Sequence, residues 1–198
     1  MSQDLAKSII GTRRLILRPL RESDAAAIFA LFNDWNVVRY LSSPPWPYTR
    51  AEADRYVRAA MASTDDSAET VFAITLQDRL IGSIGLRRWP ASKLQSEAGL
   101  NIGYWLGAPH WRHGYMTEAL RALIDHAFTD LGHKALQSSV RVTNPDSRRV
   151  LEKCGFQWTG VGLCRIRALG SSVPVDRFRL ERGIWTALKS WGPVKRVA

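Results

Sequence analysis

Apolar and polar positions alternate most regularly between residues 100 and 106, where Leu100, Ile102, Tyr104 and Leu106 interleave with Asn101, Gly103 and Trp105. A period of two predicts a strand. Pro109 ends it, because proline has no N–H to contribute to a ladder. The period then changes: Met116, Leu120, Leu123, Ile124 and Phe128 fall on one face of a predicted helix. The loop between the two runs through Trp111, Arg112 and His113 to Gly114. A glycine-containing loop at a helix start presents unpaired backbone N–H groups and the positive end of the helix dipole. That end suits an anion, and a diphosphate fits it. Arg112 and His113 add side-chain charge and donors beside it.

The same reading extends along the chain. Residues 14–20 alternate apolar and basic positions and predict a first strand. Ser23 or Asp24 can cap a helix over 25–32, and a helical turn is expected at 36–41. The proline-rich stretch 43–48 cannot be helical, since each proline restricts the residue before it. Thr49 caps a helix running to residue 62. Strands at 70–76 and 80–86 pair around Gln77-Asp78-Arg79. An apolar strand at 136–142 precedes a short helix with Asn144 as cap, Pro145 as its first residue and Gly155 as its stop. Closing strands are expected at 157–161 and 176–180, with a last helical turn at 184–191. Strands and helices mixed in this order predict an α+β (α/β) fold.

Composition narrows the class. A chain of 198 residues, 45% of them hydrophobic, is expected to form one domain over 1–198 with its core at about 12–185. No apolar run approaches the ~18 residues that span a bilayer, so no membrane is expected. The first residues lack an apolar export segment, which favours a cytoplasmic location. Cys154 and Cys164 are too few for a disulfide framework, no metal site is expected, and Cys154 reads as core filling. Net charge is +10. From Arg141 onward there are 12 Lys or Arg against 4 Asp or Glu. Such a field draws in polyanions.

Two segments together carry a resemblance. Trp111-Arg112-His113-Gly114-Tyr115-Met116, followed by Thr117-Glu118-Ala119, is similar to the Q/R-x-x-G-x-G/A loop of the GCN5-related N-acetyltransferases (GNAT). More narrowly, it resembles the branch of ribosomal-protein N-terminal acetyltransferases, the Rim type. At the right distance follows Asn144-Pro145-Asp146-Ser147, then a short helix and Gly155-Phe156, as in that branch. Either segment alone is commonplace. The weight lies in their conjunction and order. The opening R-L-x-L-R-P and the stretch from Asp176 to Leu180 fit the branch too, and the likeness covers roughly residues 12–185.

The resemblance implies an acyl-CoA N-acyltransferase fold, a mixed, twisted sheet whose two central strands splay apart to admit acetyl-CoA. It implies that Trp111, Arg112, His113, Gly114, Tyr115, Met116 and Thr117 wrap the diphosphate. The pantetheine arm would pair with backbone groups of Tyr104, Trp105 and Leu106, with Asn144 and Arg148 also in the cofactor set. Met116 stands where the family carries a small residue, so crowding of the phosphate is expected there. Ser147 is the candidate for stabilising the departing thiolate. Other superfamily members carry a tyrosine acid in the short helix, but Val150 and Leu151 occupy that region here. Glu97 is the candidate base, with Asn101 standing where the branch often has Glu. Helix capping by Asn144, a local bond at Ser147 and solvation of Arg148 are the bland alternatives.

The expected activity is acetyl transfer from acetyl-CoA to a primary amine by direct attack, with no protein nucleophile. A lysine amine near pKa 10.4 is ~2.5 units harder to deprotonate than an α-amine near 7.7–8.0. A site without a strong base therefore favours a protein N-terminus or a small amine. The acceptor is expected near Trp46-Pro47-Tyr48, Trp89 and Arg167. Two rivals remain: an inactive CoA-binding sensor, and a basic nucleic-acid-binding protein, which the lack of any DNA- or RNA-binding signature argues against. Oligomeric state stays open, a homodimer included.

Overall fold

The computed structural model describes residues 8–63, 69–89 and 99–190. A two-residue strand, β1 (Ile10–Gly11), folds back on β2 (Leu15–Pro19). The next helix, α1 (Asp24–Phe32), starts without a side-chain cap from Ser23. Asp24 instead accepts the Arg21 N–H at 2.8 Å and both guanidinium nitrogens of buried Arg18 at 2.8 Å, tying α1 to β2. A single turn, α2 (Trp35–Val38), leads to α3 (Arg50–Met61). Thr49 caps α3 by accepting the Glu52 N–H.

The strands β3 (Glu69–Leu76) and β4 (Arg79–Trp89) form a hairpin whose two loop residues, Gln77 and Asp78, both adopt positive φ. That geometry matches the twist of the flanking strands. β5 (Gly99–Leu106) pairs antiparallel with β4 along its whole length, from Gly82↔Leu106 to Trp89↔Gly99, with no bulge. Then come α4 (Tyr115–Thr129), β6 (Ala135–Arg141), α5 (Pro145–Lys153), β7 (Gln157–Ile166), β8 (Ser171–Glu181) and α6 (Arg182–Ser190). Among the described residues, eight strands form one sheet in the order β1-β2-β3-β4-β5-β6-β8-β7, parallel only between β5 and β6.

Each face of the sheet buries its own cluster. One face packs Ile84, Ile102, Leu136 and Phe178 with Leu120, Leu123 and Phe128 of α4 and Leu151 of α5. The other packs Ala73, Leu80 and Trp105 with Ile28 and Phe32 of α1 and Val57 of α3. Covering both faces explains why β3 is buried at nearly every position. The closing hairpin runs further than its sequence pattern predicts. Val161 and Leu163 are 66% and 72% exposed, so pairing with β8 rather than burial holds this part of β7.

Candidate active site

The sheet opens at its one parallel junction among the described residues. β5 and β6 pair at Leu100↔Leu136 and Asn101↔Gln137 and then diverge. Successive peptides of a strand point to alternate edges. The Ile102 carbonyl accepts the Ser138 hydroxyl at 2.9 Å, so the even-numbered peptides of β5 face β6 and the wedge. Gly107 donates to Ile81 of the β4 side, which fixes the odd-numbered ones. The N–H and C=O of Tyr104 therefore line the wedge, while those of Trp105 turn to β4. The Leu106 carbonyl, also on the wedge side, is taken by the Trp111 indole N–H at 2.8 Å. Of the three residues expected to pair with pantetheine, Tyr104 keeps both groups. Leu106 keeps its N–H alone, and Trp105 is turned away.

The Tyr104 side chain lies on the α4 and α5 face, as strand parity requires. Its hydroxyl stands 3.0 Å from Ser147 Oγ and donates to the Ser147 carbonyl at 3.2 Å. Burial raises the Tyr104 hydroxyl well above its ordinary pKa and outweighs the bond to Ser147. The group is a neutral donor at physiological pH. Ser147 sits in the first turn of α5, where Asn144 Oδ1 accepts its N–H at 3.2 Å. Asn144 thus does the capping job, and its own N–H bonds the Arg141 carbonyl at 2.8 Å. Sequence reading assigned Tyr104 through its backbone and missed the side chain. Its parity with Ile102 was the available signal.

At the other end of the wedge, α4 begins at Gly114, which adopts φ +77°, and Arg112 is also left-handed at +62°. The first α4 amide bonded back into the helix is that of Glu118, to the Gly114 carbonyl at 3.1 Å. The N–H groups of Tyr115, Met116 and Thr117 lie ahead of it, at the positive end of the helix. A clamp from the turn between β1 and β2 holds this loop, and no pattern in the sequence hinted at it. Arg14 pairs with Glu118 at 2.7 Å, donates to the His113 carbonyl at 3.0 Å and covers the Tyr115 ring at 4.6 Å. The Thr12 hydroxyl bonds Glu118 at 2.7 Å. Burial raises the Glu118 carboxyl's pKa, but the bonds from Thr12 and Arg14 outweigh it and the net shift is downward.

The sequence profile of the acetyltransferase (GNAT) domain matches residues 14–157. The chain belongs to the GNAT acetyltransferase family. The uncharacterized N-acetyltransferase YoaA of Bacillus subtilis is 32% identical over 155 residues, 77% of this chain and 85% of that protein. The ribosomal-protein-serine acetyltransferase of Escherichia coli is 31% identical over 114 residues, 56% of this chain and 62% of that protein. Mycobacterium smegmatis RimJ, solved with a CoA-disulfide, shares the fold at TM-score 0.78 and 20% identity, over 96% of this chain and 97% of its own. These likenesses support the Rim-like branch, and the cosubstrate is acetyl-CoA.

In this GNAT acetyltransferase the Met116 side chain is buried in the core beside Leu120, not at the open helix end. The crowding expected from its size does not arise there. Arg148 is engaged elsewhere, bonding Glu152 at 2.8 Å and Asp176 at 3.2 Å. That pairing binds α5 to β8 and holds the Arg148 guanidinium there. With the β4–β5 register unbroken, Asn101 keeps the parity of Gly103 and Trp105 and faces the α1–α3 side. Glu97 and the side chain of Trp89 lie outside the described residues. Trp46 is exposed and tilts against Trp35, but Tyr48 is buried against Phe32, so it is core. Arg167 ties the β7–β8 hairpin to the segment before α3, its N–H bonding the Ser42 carbonyl and its guanidinium pairing with Glu52. Burial pushes the Cys154 thiol up to about 11, which suits an inert core residue. No helix among the described residues is long and apolar enough to cross a membrane.

Proposed function

We propose that this acetyltransferase moves the acetyl group by direct attack of an unprotonated amine on acetyl-CoA held in the β5–β6 wedge, with an α-amine or a small amine as acceptor. The observation that carries this reading is the Tyr104–Ser147 hydrogen-bonded pair beside the divergence of β5 and β6. In this reading the diphosphate lies on the N–H groups from Gly114 to Thr117, with Arg112 and His113 at its rim. The pantetheine amides pair with Tyr104 and the free Leu106 N–H.

The amine lone pair attacks the thioester carbon, and the tetrahedral adduct collapses by breaking the C–S bond. The Tyr104 hydroxyl has one proton, which it can direct to Ser147 Oγ in place of the Ser147 carbonyl. The Ser147 hydroxyl is then left to donate toward the departing thiolate, whose charge it stabilises. The proton shed by the amine balances the one the thiolate finally takes up. Tyr104 is a positioning residue here, acting through Ser147. Asn144 acts on the same residue from the other side, holding its N–H.

Nothing in this scheme supplies a strong base, so activity should follow the free amine fraction. For an α-amine acceptor the rate should rise through about pH 7.7–8.0, and for a lysine only near 10.4. The cytoplasm, where acetyl-CoA and nascent N-termini meet, is the proposed compartment. The test is a mass-spectrometric acetylation screen of peptides and small amines, run with thiol release. Amine-dependent release with acetylated product is expected. An acetyl-CoA-dependent rise in Tm without any turnover would favour a sensor. Salt-sensitive retention on nucleic acid without that rise would favour the basic-protein reading.

A further inference from the structure

On the face opposite Ser147 the wedge is rimmed by arginines without acidic partners. Past the last β5–β6 pair, the first residues facing α1–α3 are Gly103 on β5 and Ser139 on β6, both exposed. A Cβ placed at Gly103 would meet nothing within 4 Å, so this floor is open. Arg141 follows Ser139 on the same face, whereas Arg177 of β8, the cross-strand partner of Ser139, lays its guanidinium against Gly162 of β7 and away from the wedge. The guanidinium groups of Arg141 and of Arg39, just after α2, lie 5.6 and 4.7 Å from the Tyr40 ring centre.

Arg39, Arg141 and Arg177 are each partly buried, and none pairs with Asp or Glu among the described residues. Arg39 Nε is buried with no hydrogen-bond partner among them. Arg141 donates to the Arg39 carbonyl, and Arg39 donates to the Tyr40 hydroxyl at 2.9 Å. These neutral contacts hold the two side chains in place without cancelling their charge. Partly buried guanidinium groups left uncompensated are costly, and an incoming carboxylate relieves that cost with charge-assisted bonds.

We infer that Arg39 and Arg141 form an acceptor subsite for a carboxylate, so that the amine acetylated is one carrying an acidic group. Two residues along a strand span about 7 Å. An amine entering the wedge beside Ser139 therefore places a carboxylate several bonds away at Arg141. An N-terminal Asp or Glu, or an acidic residue second in the chain, meets that spacing, and so does a free acidic amino acid. This inference rests on the proposed transfer to an amine, and it deepens that reading by naming the acceptor class.

The test is calorimetric binding to the CoA-loaded protein, which needs no turnover. Peptides beginning Glu or Asp are compared with their Gln or Asn counterparts, and free glutamate with glutamine. The acidic member is expected to bind at least about tenfold tighter, with the gap shrinking as salt is added. Arg141→Gln and Arg39→Gln should each erase most of that gap and leave the neutral peptides' affinity unchanged. Arg141→Lys should restore part of it. Each variant must keep the wild-type rise in Tm with CoA, and Arg177→Gln, at a guanidinium directed to β7, should leave the gap unchanged. Equal binding of acidic and amide peptides to the wild type, or a preference that survives both Arg141→Gln and Arg39→Gln, overturns the inference. A wild type that prefers acids yet acetylates nothing sinks the proposed transfer and leaves the subsite standing. A preference confined to glutamate itself identifies a small-molecule source rather than a peptide.

Discussion

The two faces of the wedge are built on opposite principles. On the α4–α5 face, polar groups are matched: Tyr104 with Ser147, Asn144 with the Ser147 N–H, Glu118 with Arg14 and Thr12, and Arg148 with Asp176. On the α1–α3 face, Arg39 and Arg141 gather at Tyr40 and pair with no Asp or Glu among the described residues, and a Cβ at nearby Gly103 would meet nothing within 4 Å. A site that receives the same acetyl donor every cycle can be fully satisfied by the protein and pre-organised. A site that must select an acceptor keeps its charge for that acceptor. In the proposed scheme, chemistry and choice of substrate thus lie on different sides of one sheet.

The largest effect is expected where the donor is gripped. Gly114→Trp combines a forbidden backbone angle with bulk at the helix start, and should abolish the Tm rise given by acetyl-CoA. A wild-type rise would remove the diphosphate from this loop. Next, Ser147→Ala should lower kcat by about 10- to 100-fold while CoA affinity moves by no more than about twofold. An equal loss in both would turn Ser147 into a binding residue. Tyr104→Phe should cost less, about three- to tenfold in kcat. Its effect should vanish in a Ser147→Ala background, since it acts through that hydroxyl. Additive losses would separate the two residues.

How much of this was readable beforehand depended on the range of the interactions. The strand at 100–106, the helix that follows and the Asn144 cap are local patterns, written in periods and end signals, and they folded as expected. The wedge was anticipated from family likeness, not from any local pattern. The Arg14 clamp joins residues 104 positions apart, and the Tyr104–Ser147 pair joins residues 43 apart. No periodicity reports such pairings. Bulk at Met116 was misjudged because residue size is visible in a sequence and side-chain direction is not. The ion pairs of Arg148 with Glu152 and Asp176 were not read beforehand, the second because it joins residues 28 positions apart.

A smaller effect falls on stability. The Glu118 carboxyl is held below its ordinary pKa, so its contribution is full above the unfolded value and is lost as pH falls through the folded one. Glu118→Gln should lower stability by roughly 1 kcal/mol at neutral pH, with the difference from wild type shrinking below about pH 4. Denaturant titrations at pH 7 and pH 3 check this, and a difference that grows in acid would contradict it. The smallest change is expected from Trp111→Phe. It frees the Leu106 carbonyl at a cost of about 1 kcal/mol or less and should leave kcat within about twofold.

The central claim is that acetyl-CoA threads the gap between β5 and β6 with its sulfur on the Ser147 side. A crystal structure of the chain with CoA tests it most directly. The account predicts diphosphate oxygens on the N–H groups from Gly114 to Thr117 and a pantetheine amide on Tyr104. It also predicts the sulfur within about 3.5 Å of Ser147 Oγ, as expected for a weak hydrogen bond to sulfur. A CoA whose sulfur lies outside the gap, or a gap closed by side chains from both strands, would contradict it.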